Sequence, residues 1–222
     1  MIKHVIWASM IDYPEHTCTV LFTGSCNFKC AYCYNKTLAQ AEDLNFDEKI
    51  LPILIERKDF IDHVIISGGE PTVDPTFDYI MDKLYENGFK IGLHTNGTNP
   101  EKLKQHLNKI KFIGMDIKSS FSKYNSVAGV HVDIEKIKTS IKLILESNIK
   151  YEFRTTLFPK EVDKNDVIEI ATKLKELGAK KYHLQQFYPV NGAENIPSYS
   201  LEIIKNMTEE CNKIIPTILK TK

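Results

Sequence analysis

The chain has 222 residues, 42% hydrophobic and 26% charged, the make-up of one soluble globular domain with a large core and no need of a second. Twenty-nine basic and 29 acidic residues cancel, so no overall field draws in nucleic acid or an anionic membrane. Apolar runs are strand-sized and Met1-Ile2-Lys3-His4 leads into no signal-peptide core, so the cytoplasm is the expected compartment.

In chain order, Val5-Ile6-Trp7 followed by Ile11-Asp12-Tyr13-Pro14 reads as an edge strand and its return. Thr17-Cys18-Thr19-Val20-Leu21-Phe22-Thr23, bounded by Gly24-Ser25, is rich in β-branched and aromatic residues and reads as a buried strand. Cys26-Asn27-Phe28-Lys29-Cys30-Ala31-Tyr32-Cys33 therefore leaves the carboxyl end of that strand, where open sheets and barrels hold their ligands. Strand and helix patterns then alternate: strands over 63–67, 90–94, 112–118, 151–157 and 181–187, helices over 77–87, 101–107, 134–146, 162–177 and, ending near Pro216, 200–219. About six β–α units at roughly 30-residue spacing predict a parallel sheet of right-handed crossovers. A full eight-unit barrel takes about 250 residues, so the expected fold is α/β, a partial (β/α)6 barrel in a single domain over 1–222. Residues 189–200 are the most loop-like stretch.

Three thiols within eight residues suit one metal centre, and no fourth cysteine is near. A closed zinc or iron–sulfur site takes four protein ligands, whereas three leave a coordination position open. The bland alternatives are a zinc site or small buried thiols. Five cysteines, an odd number, do not form a secreted disulfide framework, and Cys18 and Cys211 have no assigned chemistry.

Other candidates sit at strand ends. In Gly68-Gly69-Glu70-Pro71 two glycines let the backbone approach a ligand and a carboxylate can accept from an ammonium, though such a stretch is often an ordinary turn. Asp116 and Lys118 are two apart and share a face, as a ligand site or a solvated ion pair. Arg154, in an otherwise apolar and threonine-bearing strand, either faces the barrel and grips a carboxylate or covers a helix outside. Asn96 either contacts a ligand or supplies turn chemistry. Gln185 and Phe187 alternate onto one face of the strand over 181–187.

The spacing of the three cysteines, with Tyr32 just before the last, resembles the radical S-adenosylmethionine (SAM) enzymes. That resemblance implies a 4Fe–4S cluster on Cys26, Cys30 and Cys33, with the amino and carboxylate groups of SAM on the open iron. One electron then splits the sulfonium to a 5′-deoxyadenosyl radical, so the cofactor carries the hard chemistry. It further implies that Tyr32 lies at the cofactor, that Gly68, Gly69 and Glu70 hold the methionyl amino group and that Asp116 and Lys118 serve the carboxylate side; Arg154 and Asn96 stand as candidates beside them, with Gln185 placed to bond ribose or adenine and Phe187 to pack against the adenine. Ile11-Asp12-Tyr13-Pro14, Ser67-Gly68-Gly69-Glu70-Pro71-Thr72, Thr95-Asn96-Gly97, Met115-Asp116-Ile117-Lys118, Phe153-Arg154-Thr155-Thr156 and Leu184-Gln185-Gln186-Phe187 resemble the anaerobic ribonucleotide reductase activating proteins. These install a glycyl radical on a partner enzyme, which here implies anaerobic ribonucleotide reductase as partner and an electron donor such as flavodoxin or ferredoxin. Three departures stand out: Tyr34 where relatives often have histidine, His94 where they often have aspartate, which puts a monovalent-cation site in doubt, and Glu15 where glycine is usual. Two other readings stay open: a minimal enzyme resembling 7-carboxy-7-deazaguanine synthase, and a non-catalytic iron–sulfur or zinc protein.

Overall fold

β1 (Ile2–Tyr13) turns back at Pro14-Glu15 and pairs antiparallel with β2 (His16–Thr23). Glu15 takes a left-handed φ of 67°, which explains why glycine is usual there. The computed structural model describes residues 1–189 and 194–221. From β2 onward every pairing is parallel, each strand beside its neighbour in sequence: β3 (His63–Gly68), β4 (Lys90–Thr95), β5 (Ile110–Asp116), β6 (Lys150–Leu157), β7 (Tyr182–Gln186) and β8 (Thr217–Lys220). The sheet is thus eight-stranded and mostly parallel, in the order β1 to β8, and the expected run of six β–α strands is β2 to β7.

A π-turn (Phe46–Ile50) runs into α1 (Leu51–Glu56), and α2 (Phe77–Glu86), α3 (Pro100–His106), the short α4 (Tyr124–Ala128), α5 (Ile134–Glu146), α6 (Lys164–Glu176) and α7 (Leu201–Asn212) follow. Their apolar stripes cover one face of the sheet. Phe77, Ile80, Met81 and Leu84 of α2, Ile137, Ile141 and Ile144 of α5, and Val167, Ile170 and Leu174 of α6 join Val64, Ile66, Leu93, Ile113 and Phe153 in one core. Fully burying each such side chain contributes about 1.5–3 kcal/mol, so this layer dominates the stability. Alternation along the strands sends the intervening residues to the inner face. There Tyr13, Cys18, Val20, Ile65 and Phe112 form a separate apolar floor, with the Tyr13 ring 4.6 Å from His63 and 5.3 Å from Phe112. Further along, the inner face turns polar. That polarity faces the loops at the carboxyl ends.

One expectation needs correction. The helix expected over 200–219 stops at Asn212, and Thr217–Lys220 is instead strand β8. Pro216 ends helical bonding, its carbonyl accepts from the Tyr182 N–H at 2.9 Å, and the Asn212 side chain accepts from the Thr217 N–H at 2.7 Å. Of the expected loop over 189–200, residues 190–193 lie outside the described residues, and 194–200 carry no helix or strand. Among the described residues no helix is long and apolar enough to cross a membrane.

Candidate functional site

The cysteine loop follows β2 and is tied on three sides. The Lys29 N–H donates to the Ala128 carbonyl at 2.8 Å, the Asn27 side chain donates to Thr98 Oγ1 at 2.8 Å, and Asn35 Nδ2 donates to the Gly68 carbonyl at 2.7 Å. All five cysteines are free; Cys26 is exposed and Cys30 and Cys33 are half-buried. Backbone N–H groups point at two of the sulfurs, Phe28 at Cys26 and Asn35 at Cys33, each at 3.4 Å. Burial pushes the Cys26 and Cys30 thiols up, while the Lys118 ammonium pulls both down. A metal ligand must be the thiolate, and these donors and this cation favour it. Cys18 lies in the apolar floor and Cys211 on the buried face of α7, so neither joins the loop.

The glycine stretch after β3 is laced to that loop. The Gly69 N–H donates to the Thr23 carbonyl at 2.9 Å and the Glu70 N–H to the Ser25 carbonyl at 2.6 Å. None of these bonds ends on the Gly69 carbonyl. Glu70 is fully buried. Its Oε1 accepts from the Thr72 N–H at 3.1 Å, the Thr72 hydroxyl at 2.5 Å and the Thr95 hydroxyl at 2.7 Å, and Oε2 accepts from the Asn96 N–H at 2.5 Å. Burial raises its pKa and the four donors oppose that rise. Three donors on Oε1 and one on Oε2 make Glu70 a brace between the β3 and β4 loops. Asn96 is engaged likewise. Its Oδ1 accepts from the Thr98 N–H and hydroxyl at 3.0 and 2.7 Å, and its Nδ2 donates to Asn27 Oδ1 at 2.9 Å. The Oδ1 bonds are turn chemistry, one of its two readings, and the Nδ2 bond ties Asn96 to the cysteine loop.

Across the barrel mouth, Asp116 accepts from Arg154 Nε at 2.9 Å and from Lys118 Nζ at 3.1 Å. Burial alone would raise the Asp116 pKa, but Arg154, Lys118 and the field of His94 hold it far below the carboxylate range. Arg154 therefore faces the barrel interior, where its residue is 8% exposed. Lys118 neighbours Cys30 and Tyr32, and the Asp116 carboxylate above all holds its ammonium well above the lysine range against burial. The Tyr32 ring lies tilted against Phe158, centroids 4.9 Å apart, within a cluster that includes Val127 and Phe187. Its hydroxyl is buried and has no hydrogen-bond partner among the described residues. Gln185 is half-buried on the inner face. Phe187 is fully buried, packed edge-on against Phe158 at 5.0 Å. That covered ring does not meet the expectation of a face open to adenine.

The radical SAM superfamily model matches residues 20–174, which runs from β2 into α6. The chain belongs to the radical SAM superfamily. A protein of Methanocaldococcus jannaschii provisionally named a glycyl-radical enzyme activating enzyme is 34% identical over 204 residues, 85% of this chain and 80% of the relative. A second protein of that organism, with the same provisional name, is 32% identical over 68% of this chain and 60% of its own length. The crystal structure of Streptococcus suis SuiB bound to S-adenosylmethionine superposes with a TM-score of 0.70 at 20% identity, over 91% of this chain and 50% of SuiB. The radical SAM chain thus spans about half of that structure, and at this identity the likeness is one of fold.

Radical SAM enzymes use a 4Fe–4S cluster and SAM, and the residues present fit both. Three free thiols sit on one tethered loop, with no fourth cysteine beside them. Among the described residues no three His, Cys, Asp or Glu side chains are gathered tightly enough for a single metal ion, whereas a polynuclear cluster takes its thiolates on separate irons. The unpartnered Tyr32 hydroxyl and the cations of Lys118 and Arg154 face the same strand ends, suited to a polar, carboxylate-bearing ligand. Sequence reasoning missed the anchoring roles of Asn27 and Asn35, although both lie within or just beyond the cysteine run. It also missed the inner-face group of Glu152, His183 and Lys220, in which Lys220 Nζ donates to Glu152 at 2.6 Å. Reading 217–219 as helix hid the strand that carries Lys220.

Proposed function

We propose that this radical SAM protein is the activating partner of a glycyl-radical enzyme, of the anaerobic ribonucleotide reductase type, working as one domain. The observation that carries this reading is the 34% identity, over most of both chains, to a relative provisionally named for that activity. Cys26, Cys30 and Cys33 hold three irons of the cluster and leave the fourth to SAM. When bound, the pair supplies an electron-driven cleavage of the sulfonium and with it a carbon radical that removes a hydrogen atom.

The chain's own residues bind and orient. The Gly68-Gly69-Glu70 stretch receives the methionyl ammonium, with the Gly69 carbonyl as an acceptor. Lys118 and Arg154 face the carboxylate, and Asp116 holds their side chains in place through its two oxygens. Tyr32 offers its hydroxyl to the nucleoside and Gln185 its carboxamide. Glu70 and Asn96 fix the loops from behind, so that the cysteine and glycine stretches keep their separation when ligands enter.

Incubation with the cognate anaerobic reductase, SAM and a reductant gives a glycyl-radical doublet in electron paramagnetic resonance. No doublet with an intact partner, while SAM is still cleaved, contradicts the activase reading and leaves the radical SAM assignment standing.

A further inference from the structure

Inside the barrel one imidazole nitrogen has two partners that it cannot serve together. His94 Nε2 lies 3.2 Å from the Asp12 carbonyl oxygen and 3.2 Å from the Arg154 terminal nitrogen Nη1. A carbonyl only accepts and a guanidinium only donates, so Nε2 needs a proton for the first and a lone pair for the second. The other nitrogen, Nδ1, is 3.4 Å from the Ser67 hydroxyl, which serves either way because a hydroxyl both donates and accepts. The ring is buried, and its pKa lies well below the histidine range because burial disfavours the cation and Arg154 repels it. The choice is therefore between two neutral tautomers. Two N–H groups face to face would repel, so with Arg154 in its present place Nε2 keeps the lone pair and the proton sits on Nδ1.

The meeting of the two side chains is built into the backbone. A β-carbon on Gly114 would lie 2.8 Å from Arg154 Cζ and 2.8 Å from His94 Cδ2, so any larger residue would push them apart. Arg154 is otherwise lightly held, by Asp116 through Nε and by a long 3.4 Å contact from Nη2 to the Gly114 carbonyl. Asp116 against Arg154 and Lys118 leaves one positive charge in excess, matched by one anionic group.

We propose that His94 is a positioning residue for Arg154: it holds the guanidinium through an unprotonated Nε2 until the SAM carboxylate takes it, and then donates from Nε2 to the Asp12 carbonyl. The ring gives up the proton on Nδ1 and gains one on Nε2 by exchange with solvent, the Ser67 hydroxyl turns from acceptor to donor, and the net charge is unchanged. The bond lost to Arg154 is thereby offset by the bond gained to Asp12. This rests on the reading that SAM binds at these strand ends.

The test is the His94 tautomer, read from imidazole nitrogen chemical shifts in 15N-histidine-labelled, cluster-reconstituted protein kept oxidised so that SAM is not cleaved. Nδ1–H without ligand and Nε2–H with SAM is the expected result, with no change on adding decarboxylated SAM. One tautomer throughout, with SAM bound, overturns the proposal, as does a switch caused equally by the decarboxylated compound. A second arm uses His94→Gln, whose carboxamide offers acceptor and donor on separate atoms and so serves both partners at once. The offset is then lost, and SAM binding weakens roughly tenfold while binding of decarboxylated SAM is unchanged. Equal weakening for both ligands contradicts the proposal. A wild-type protein that binds no SAM contradicts the underlying reading instead.

Discussion

The α-carbon of Gly69 lies against the carbonyl of Ser25: a β-carbon on Gly69 would sit 2.1 Å from that oxygen and 3.0 Å from Cβ of Cys26. The glycine and cysteine loops are thus in van der Waals contact through backbone alone. In Gly69→Ala the rigid neighbour must move, and it carries the first thiol. The variant is expected to keep its helical circular dichroism and lose most of its iron and visible absorbance after reconstitution. Full iron loading would show that the close approach is not needed.

Glu70 holds four donors, three on Oε1 and one on Oε2. Glu70→Gln puts an amide N–H₂ against groups that only donate or already do, so the loss is that of a buried charged network, about 2–4 kcal/mol. Chemical denaturation should show it as a lower midpoint. A variant of wild-type stability with weakened SAM binding would instead place Glu70 at the ligand.

Tyr32 presents a different case, a buried hydroxyl with no partner among the described residues. An unpaired buried hydroxyl is a cost to the free protein. Tyr32→Phe is therefore expected to melt at the same or a higher temperature and to bind SAM several-fold more weakly by calorimetry. Unchanged affinity would remove the hydroxyl from the nucleoside site.

His183 is buried on the inner face, and its pKa is lowered to about 4 by burial, with Lys220, Lys181 and Arg154 adding to the effect and Glu152 opposing it. An unfolded histidine titrates near 6.5, so between these values the unfolded chain binds a proton that the fold refuses, and stability falls as pH falls. His94, also lowered, acts in the same direction. The His183 share amounts to about 2 kcal/mol by pH 5. Denaturation at pH 7.5 and pH 5 should show a smaller loss for His183→Asn than for wild type, and equal losses would contradict this account.

Much of the frame was legible because β3, with Val64 and Ile66 outward and Ile65 inward, and α2, ending before Gly88, repeat patterns with a single reading. The cysteine spacing named the chemistry, and the two-residue interval from Asp116 to Lys118 put both on one face. What spacing along one strand does not reveal is who meets it from across the barrel. Glu70 is filled by Thr95 and Asn96 of the next loop, and His94 is met by Asp12 from the β1 end and Arg154 from β6. Strand β8 was hidden because Thr217-Ile218-Leu219 is too short a run to announce a strand, and only its pairing with β7 makes it one.

The most direct test of the central claim, three thiolates holding a cluster whose remaining iron takes SAM, is the release of 5′-deoxyadenosine and methionine from SAM under reductant by the reconstituted protein and by Cys26→Ala, Cys30→Ala and Cys33→Ala. The account predicts both products from the wild type and neither from any of the three variants. Cleavage retained in Cys30→Ala, or a wild-type protein still free of iron after reconstitution, would contradict it.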